Sequence, residues 1–105
     1  MPILSTVEIT MKDDAAEARF LQAFTSAAGA AAGAPGLIEL KAYKRVGAER
    51  TYLASVLWES EAHLEAWVSG PQEQANIKLG KEQLLQSALV RRFAQQGPDT
   101  AWARE

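Results

Sequence analysis

The side chains best able to do chemistry in this sequence are Trp58, Trp67, Tyr52 and a single histidine, His63. Alternation predicts a strand over 51–58 that leaves Trp58 at its C-terminal end, with Tyr52, Ala54 and Val56 on the same face. A helix then carries Trp67 back over the sheet. A strand end roofed by a helix makes a wall for a small-molecule pocket, and two indoles there could hold a planar ring. Phe24, on the first helix, borders the same space. Tyr52 could present a hydroxyl, and His63, in the first turn of the second helix, is the candidate general base at the pocket mouth. Arg91 and Arg92 alternate on the last strand, so one of them faces the pocket and could bind an oxyanion; Arg91 is taken as that residue. Asn76 could supply a further hydrogen bond. Each has an ordinary alternative: core aromatics, a solvent-facing histidine, a salt bridge, a helix-end amide.

Other chemistries are excluded by what is missing. With no cysteine there is no disulfide, no thiolate metal site and no Cys nucleophile. One histidine cannot by itself build the usual zinc or non-haem iron site, so no metal is expected. Any Ser-His-Asp arrangement would have to pass through His63.

The elements that must position these residues follow from periodicity. Ile3, Ser5, Val7, Ile9 and Met11 share one face of a first strand, which is expected to be central. Asp14, with Glu17 three residues on, fits a helix N-cap, and Ala16, Phe20, Ala23, Phe24, Ala27 and Ala31 make its apolar stripe. Ala34-Pro35-Gly36 ends that helix. A strand runs from Leu37 to about Arg45, and a short Gly47-containing connection leads to the strand at Thr51. Ser60 is the expected cap of the helix bearing Leu64, Trp67 and Val68. Pro71 opens a further helical stretch to Leu79, a short helical piece is expected over 81–86, and a last strand over 88–94.

The order β-α-β-β-α-β predicts an α+β, ferredoxin-like fold with an antiparallel sheet and helices on one face. The 51–58 strand is apolar on both faces, so the uncovered face is expected to pair with a second copy as a homodimer. With 105 residues the chain forms one domain, taken as 1–95, followed by a polar tail over 96–105 that contains Trp102. Charged residues are 23% of the chain and the net charge is −2, which argues against nucleic-acid or anionic-membrane partners. MPILSTVEIT has no basic start and is not expected to be a signal peptide; a cytoplasmic location is expected.

Pro35-Gly36 before the second strand, Trp58-Glu59-Ser60-Glu61 closing the third, and Trp67 followed by a broken helix resemble the antibiotic biosynthesis monooxygenase family of dimeric α/β barrels. The resemblance implies that fold and a range of activities. Trp67 is similar to the Trp that presses on the macrocycle in haem-degrading members. Those members need a His where Asn76 stands and an Asn on strand one, where Ser5 is the nearest match, so haem degradation is disfavoured. Trp58 is similar to the active-site Trp of the polyketide oxygenases, whose Asn and Tyr are replaced here by Ala54 and Leu64. The expected function is that of a cofactor-independent monooxygenase acting with dioxygen on a small planar aromatic: a phenol, a quinol or a polyketide-like ring. Trp58 and His63 are the catalytic candidates, and Ser5, Phe24, Tyr52, Trp67, Asn76 and Arg91 the binding ones. The alternative is a non-catalytic barrel that binds a small molecule.

Overall fold

Asp13 stops the first strand and starts the first helix. Its backbone is extended and its carboxylate accepts the Ala16 N–H at 2.7 Å. The cap is therefore Asp13 rather than Asp14, which is already the first helical residue; Asp14 and Glu17 then lie in the first turn, where acids suit the positive end of the dipole. The computed structural model describes residues 1–96. Expectations for Trp102 and for the tail beyond Gln96 lie outside the described residues.

The elements run β1 Ile3–Met11, α1 Asp14–Ala31, β2 Leu37–Lys44, β3 Thr51–Trp58, α2 Glu61–Val68, α3 Pro71–Leu79, a π-helical turn Gly80–Leu84 and β4 Leu85–Ala94. This is the expected ferredoxin-like α+β plan, with the second helix divided. Pro71 occupies the first turn of α3, where its missing N–H costs nothing. The piece expected over 81–86 is the π-turn, and β4 starts three residues earlier than periodicity suggests. A register shift between Thr10 and Met11 lets Leu85 pair with Met11, a long-range accommodation that no local pattern announces.

The sheet is antiparallel in the order β2-β3-β1-β4, so β1 is central and β2 and β4 are edges. It does not close on itself. Register places Ile3, Ser5, Val7, Ile9 and Met11 on one face with Trp58, Val56, Ala54 and Tyr52 of β3. The helices cover that face. Its main core is Ile9, Met11, Ala16, Tyr52 and Leu84, with Val7, Phe20, Leu79 and Leu85 packed against it. Trp58 and Leu64 are buried outside that cluster, at the opposite end of β3. Ile38, expected to continue an apolar face of β2, sits at a register irregularity and is exposed.

The other face of the sheet carries Leu4, Leu53 and Leu57, half-buried, beside the exposed Tyr43, Leu89 and Phe93. A patch of this kind on one protein face marks an interaction surface. Among the described residues, no helix is long and apolar enough to cross a membrane.

Candidate functional site

On the helix-covered face, burial is uneven. Ile9, Met11, Tyr52 and Trp58 are buried, yet Ser5, Val7, Ala54 and Val56, from the same rows of the two central strands, are only half-buried. The floor between the two buried ends is thus incompletely roofed. The residues there are small or of middle size, and the partly exposed strip they form under the helices is the candidate cleft.

One end of the cleft is the tryptophan pair. Trp58 is 1% exposed and its ring centroid lies 6.3 Å from that of Trp67, tilted by 34°. Trp67 is half-buried, and its indole N–H donates to Glu73 Oε2 at 2.7 Å. That bond ties α2 to α3 across the break at Gly70-Pro71 and fixes the ring plane. The indole N–H of Trp58, by contrast, is buried and has no hydrogen-bond partner among the described residues. A buried donor left unpaired costs about 1–3 kcal/mol, so its retention calls for an explanation beyond packing.

His63 stands on the same helix. Its Nδ1 lies 2.7 Å from Ser60 Oγ, and Ser60 Oγ also accepts the His63 backbone N–H, which caps α2. The imidazole packs directly on Gly36, where a Cβ would come 2.2 Å from the ring. Glu59 N–H donates to the Gly36 carbonyl at 2.8 Å, so β2, β3 and α2 meet at this point. His63 therefore acts as an anchor of the helix that carries Trp67.

The expected arginine is on the wrong face. Arg91 registers with Thr6 and lies exposed on the open side of the sheet, away from both tryptophans. Arg92 registers with Ser5 on the cleft side and bonds Glu65, with Glu61 at 3.7 Å. Alternation left the choice between the two open, and pairing with β1 decides it. Arg92 latches α2 to the β4 edge and is the cation next to the cleft floor. Ser5 itself is half-buried, opposite Val56.

The far end of the cleft holds the other aromatics. Tyr52 is 5.4 Å from Phe20, centroid to centroid, and Phe20 is 5.9 Å from Phe24. The Tyr52 hydroxyl donates to Glu17 Oε2 at 2.8 Å, with Lys44 Nζ 3.8 Å from that same oxygen. Tyr52 and Phe24 are thus joined through Phe20, and Tyr52 stands six strand positions away from Trp58. Phe20, Glu17 and Glu73 were not among the expected site residues, and Arg92 was weighed only as the alternative to Arg91. Of the first three, only Phe20 carried a usable signal, its place on the α1 stripe. Asn76 lies half-buried in α3; its carbonyl accepts the Gly80 N–H and its amide bonds no described residue.

Burial, reinforced by the Glu17 carboxylate, raises the Tyr52 hydroxyl above its ordinary value of 10.0. The folded chain then keeps this proton to higher pH than the unfolded chain, so the unfolded state binds fewer protons above about pH 10. The contribution is fully present below that pH and is lost as pH rises through the folded value. Wild type is expected to lose melting temperature more steeply above pH 10 than Tyr52→Phe, in thermal scans of both across the alkaline range.

The donor set does not suit a haem iron. His63 is engaged with Ser60, and position 76 offers an amide. No group of three or more Asp, Glu or His among the described residues could hold a metal ion.

No curated protein matches the chain at a significant level. Solved structures match it well in fold. SnoaB, a cofactor-independent oxygenase from Streptomyces nogalater, superposes with a TM-score of 0.80 at 14% identity, over 95% of this chain and 98% of that one. A putative antibiotic biosynthesis monooxygenase from Deinococcus radiodurans gives 0.78 at 12%, over 98% and 100%. A conserved protein from Methanosarcina mazei gives 0.83 at 12%, over 91% and 94%. At these identities the likeness is one of fold. The sequence itself matches the family model described as antibiotic biosynthesis monooxygenase over residues 2–79, from β1 to the end of α3. With the unclosed four-stranded sheet, the divided second helix and the tryptophan-ended cleft in place, the chain belongs to the antibiotic biosynthesis monooxygenase family.

Proposed function

We propose that this protein is a cofactor-independent monooxygenase of a small planar aromatic substrate, a phenol, quinol or polyketide-like ring that can form a stable anion. The observation that carries the reading is the Trp58 N–H, buried and unpaired at the end of a half-open cleft. A substrate oxygen placed there would receive that hydrogen bond out of contact with water, where it is worth most to a developing anion. Trp67, held by Glu73, offers a face for the ring, and Ser5 and Val56 lie on the floor. Arg92 would balance the charge of the anion from the floor side.

The step is a net four-electron reduction of dioxygen by the substrate. A ring methylene carbon bearing two hydrogens, or a phenol through its O–H and one ring C–H, supplies the two hydrogens, and loss of the first as a proton forms the anion. The anion transfers electrons to dioxygen and forms a carbon–oxygen bond. One oxygen atom stays as the new carbonyl, and the other leaves as water with the two hydrogens. The enzyme's share is to orient the ring, stabilise the anion and keep the site dry. The similarity in fold to a cofactor-independent oxygenase supports the reading, as does the family. His63, bonded to its own helix cap, is better placed as an anchor than as the base, and the substrate's own acidity would supply much of the deprotonation. The test is an oxygen electrode with anthrones, naphthols and quinols: uptake above the uncatalysed rate supports the reading, and none across the panel sinks it.

A second reading is favoured by one observation: Ala54, in the middle of the floor, offers no polar group to a substrate. On this reading the cleft binds an aromatic molecule without turning it over. Ligand-dependent stabilisation with no oxygen uptake distinguishes it.

The proposed assembly is a homodimer with the two open sheet faces packed together, since Tyr43, Leu89 and Phe93 are about half-exposed there. Leu89→Arg would put the new charge opposite Glu8 in the register, which the single chain accommodates. Sedimentation is expected to show a monomer for this variant, with its melting temperature lowered by loss of the partner. A wild type that sediments as a monomer at micromolar concentration rules this assembly out.

A further inference from the structure

Glu73, on α3, meets the tryptophan pair at the edge of Trp67. On that helix Glu73, Asn76 and Ile77 are half-buried, while Gln72, Gln74, Ala75 and Lys78 are exposed, so the first three form its inner face. Glu73 Oε2 accepts the Trp67 N–H at 2.7 Å, and the Trp67 ring lies 6.3 Å from that of Trp58. An aromatic ligand stacked on Trp67 therefore has this carboxylate at its rim.

Glu73 differs from the other carboxylates on the helix-covered side. Glu17 has Lys44 3.8 Å away and also accepts the Tyr52 hydroxyl. Glu61 and Glu65 both face Arg92. Glu73 has one partner among the described residues, the neutral indole N–H, and its second oxygen bonds none of them. A carboxylate has room for about four hydrogen bonds, so one neutral donor fixes it in place without cancelling its charge. Asn76, one turn further along the same face, has an amide that also bonds no described residue. The candidate base His63 is turned instead to Ser60 and Gly36.

We infer that the Glu73 carboxylate is the acceptor for an acidic O–H of the ligand, which makes the ligand a hydroxyarene that enters with its proton on. Its ring lies on Trp67 and its hydroxyl donates to Glu73, with the Asn76 amide as a donor to the same oxygen. The binding role stands without turnover; the proton-transfer role rests on the oxygenase reading. In that step the ligand O–H bond breaks, its electron pair stays on the ligand oxygen, and the proton passes to Glu73. The neutral Glu73 acid later returns it to the dioxygen-derived atom that leaves as water.

The experiment is titration calorimetry of the full-length protein, without oxygen, using 1-naphthol and 1-methoxynaphthalene, which has the same rings and no O–H. Wild type is compared with Glu73→Gln. The Gln carbonyl still accepts the Trp67 N–H, and unchanged Trp67 fluorescence checks that the tie between α2 and α3 is kept. Wild type is expected to bind the naphthol about 10–100-fold more tightly than the ether, as a hydrogen bond to a charged acceptor would give. Glu73→Gln is expected to lose most of that preference and to bind the ether as before, which a purely structural strut would not do. The same preference in both proteins overturns the inference, and so does a wild type that binds the naphthol no better than the ether or not at all. An oxygen electrode with 1-naphthol separates this assignment from the oxygenase reading. Uptake by wild type that falls about 100–10,000-fold in Glu73→Gln supports both. Naphthol preference without uptake supports the assignment and counts against the oxygenase reading; equal uptake by the two proteins overturns the proton-transfer role alone.

Discussion

Trp58→Ala is expected to destabilise the fold by about 3–5 kcal/mol, the range for emptying a large aromatic site in a core. Trp58 is 1% exposed, so little of that loss can be recovered by solvent. For a chain of this size, each kcal/mol moves the melting temperature by about 4–8 °C, so a fall of at least ~12 °C is expected by calorimetry. Trp58→Phe separates the two roles of the indole. It gives up packing volume but also removes a buried, unpaired N–H that costs about 1–3 kcal/mol. Its stability is expected to lie within about 1 kcal/mol of wild type, because the two effects oppose each other. Its affinity for an anionic aromatic ligand is expected to fall roughly 10–100-fold, since a hydrogen bond to a charged group contributes about 1.5–3 kcal/mol and each 1.4 kcal/mol is tenfold. Equal ligand affinity in Trp58→Phe and wild type, by titration calorimetry, would mean that the indole N–H has no functional part.

The other large effect is expected at Gly36. Its φ is +82°, a conformation that side chains disfavour, and an added Cβ would stand 2.2 Å from His63 Cγ and 2.4 Å from Cδ2. The backbone term alone costs about 1–2 kcal/mol. Moving the imidazole off its bond with Ser60 adds an overpacking cost of about 1–3 kcal/mol. Gly36→Ala is therefore expected to lose roughly 2–5 kcal/mol in urea unfolding. Gly36→Ala/His63→Ala is expected to recover the steric part, leaving mainly the backbone term. The coupling between the two positions is the quantity to measure. If the double variant is no more stable than Gly36→Ala, the ring is not what the Cβ meets. Because this contact seats α2, Gly36→Ala is also expected to disturb Trp67, visible in its fluorescence.

Much of the fold was legible because its signals are local. Period-2 alternation over Ile3–Met11 and Thr51–Trp58 gave both central strands, and Ser60 and Pro71 marked the starts of α2 and α3. The first helix cap slipped by one residue because Asp13 and Asp14 are equally good caps on composition, and only the extended backbone at Asp13 separates them. Leu85–Ser87 were missed as strand because their pairing rests on the shift at Thr10/Met11.

The site was legible in its residue types and not in its contacts. Trp58 and Trp67 could be placed together because a strand and the helix after it return the chain over a short distance. Arg91 could not be told from Arg92, since the choice turns on which β4 residue meets Ser5, eighty-seven positions earlier in the chain. His63 read as either a base at the pocket mouth or a solvent-facing histidine, but its imidazole is taken up by Ser60 and by Gly36 in the turn before β2. The sequence by itself determined the family, the element order and a pair of indoles at one end of the sheet, because repeating patterns and near neighbours encode these. Only the tertiary structure decided which arginine faces the cleft and which indole N–H is left unpaired. Those depend on strand register and on contacts between distant residues, where a shift of one position turns a side chain to the other side of the sheet.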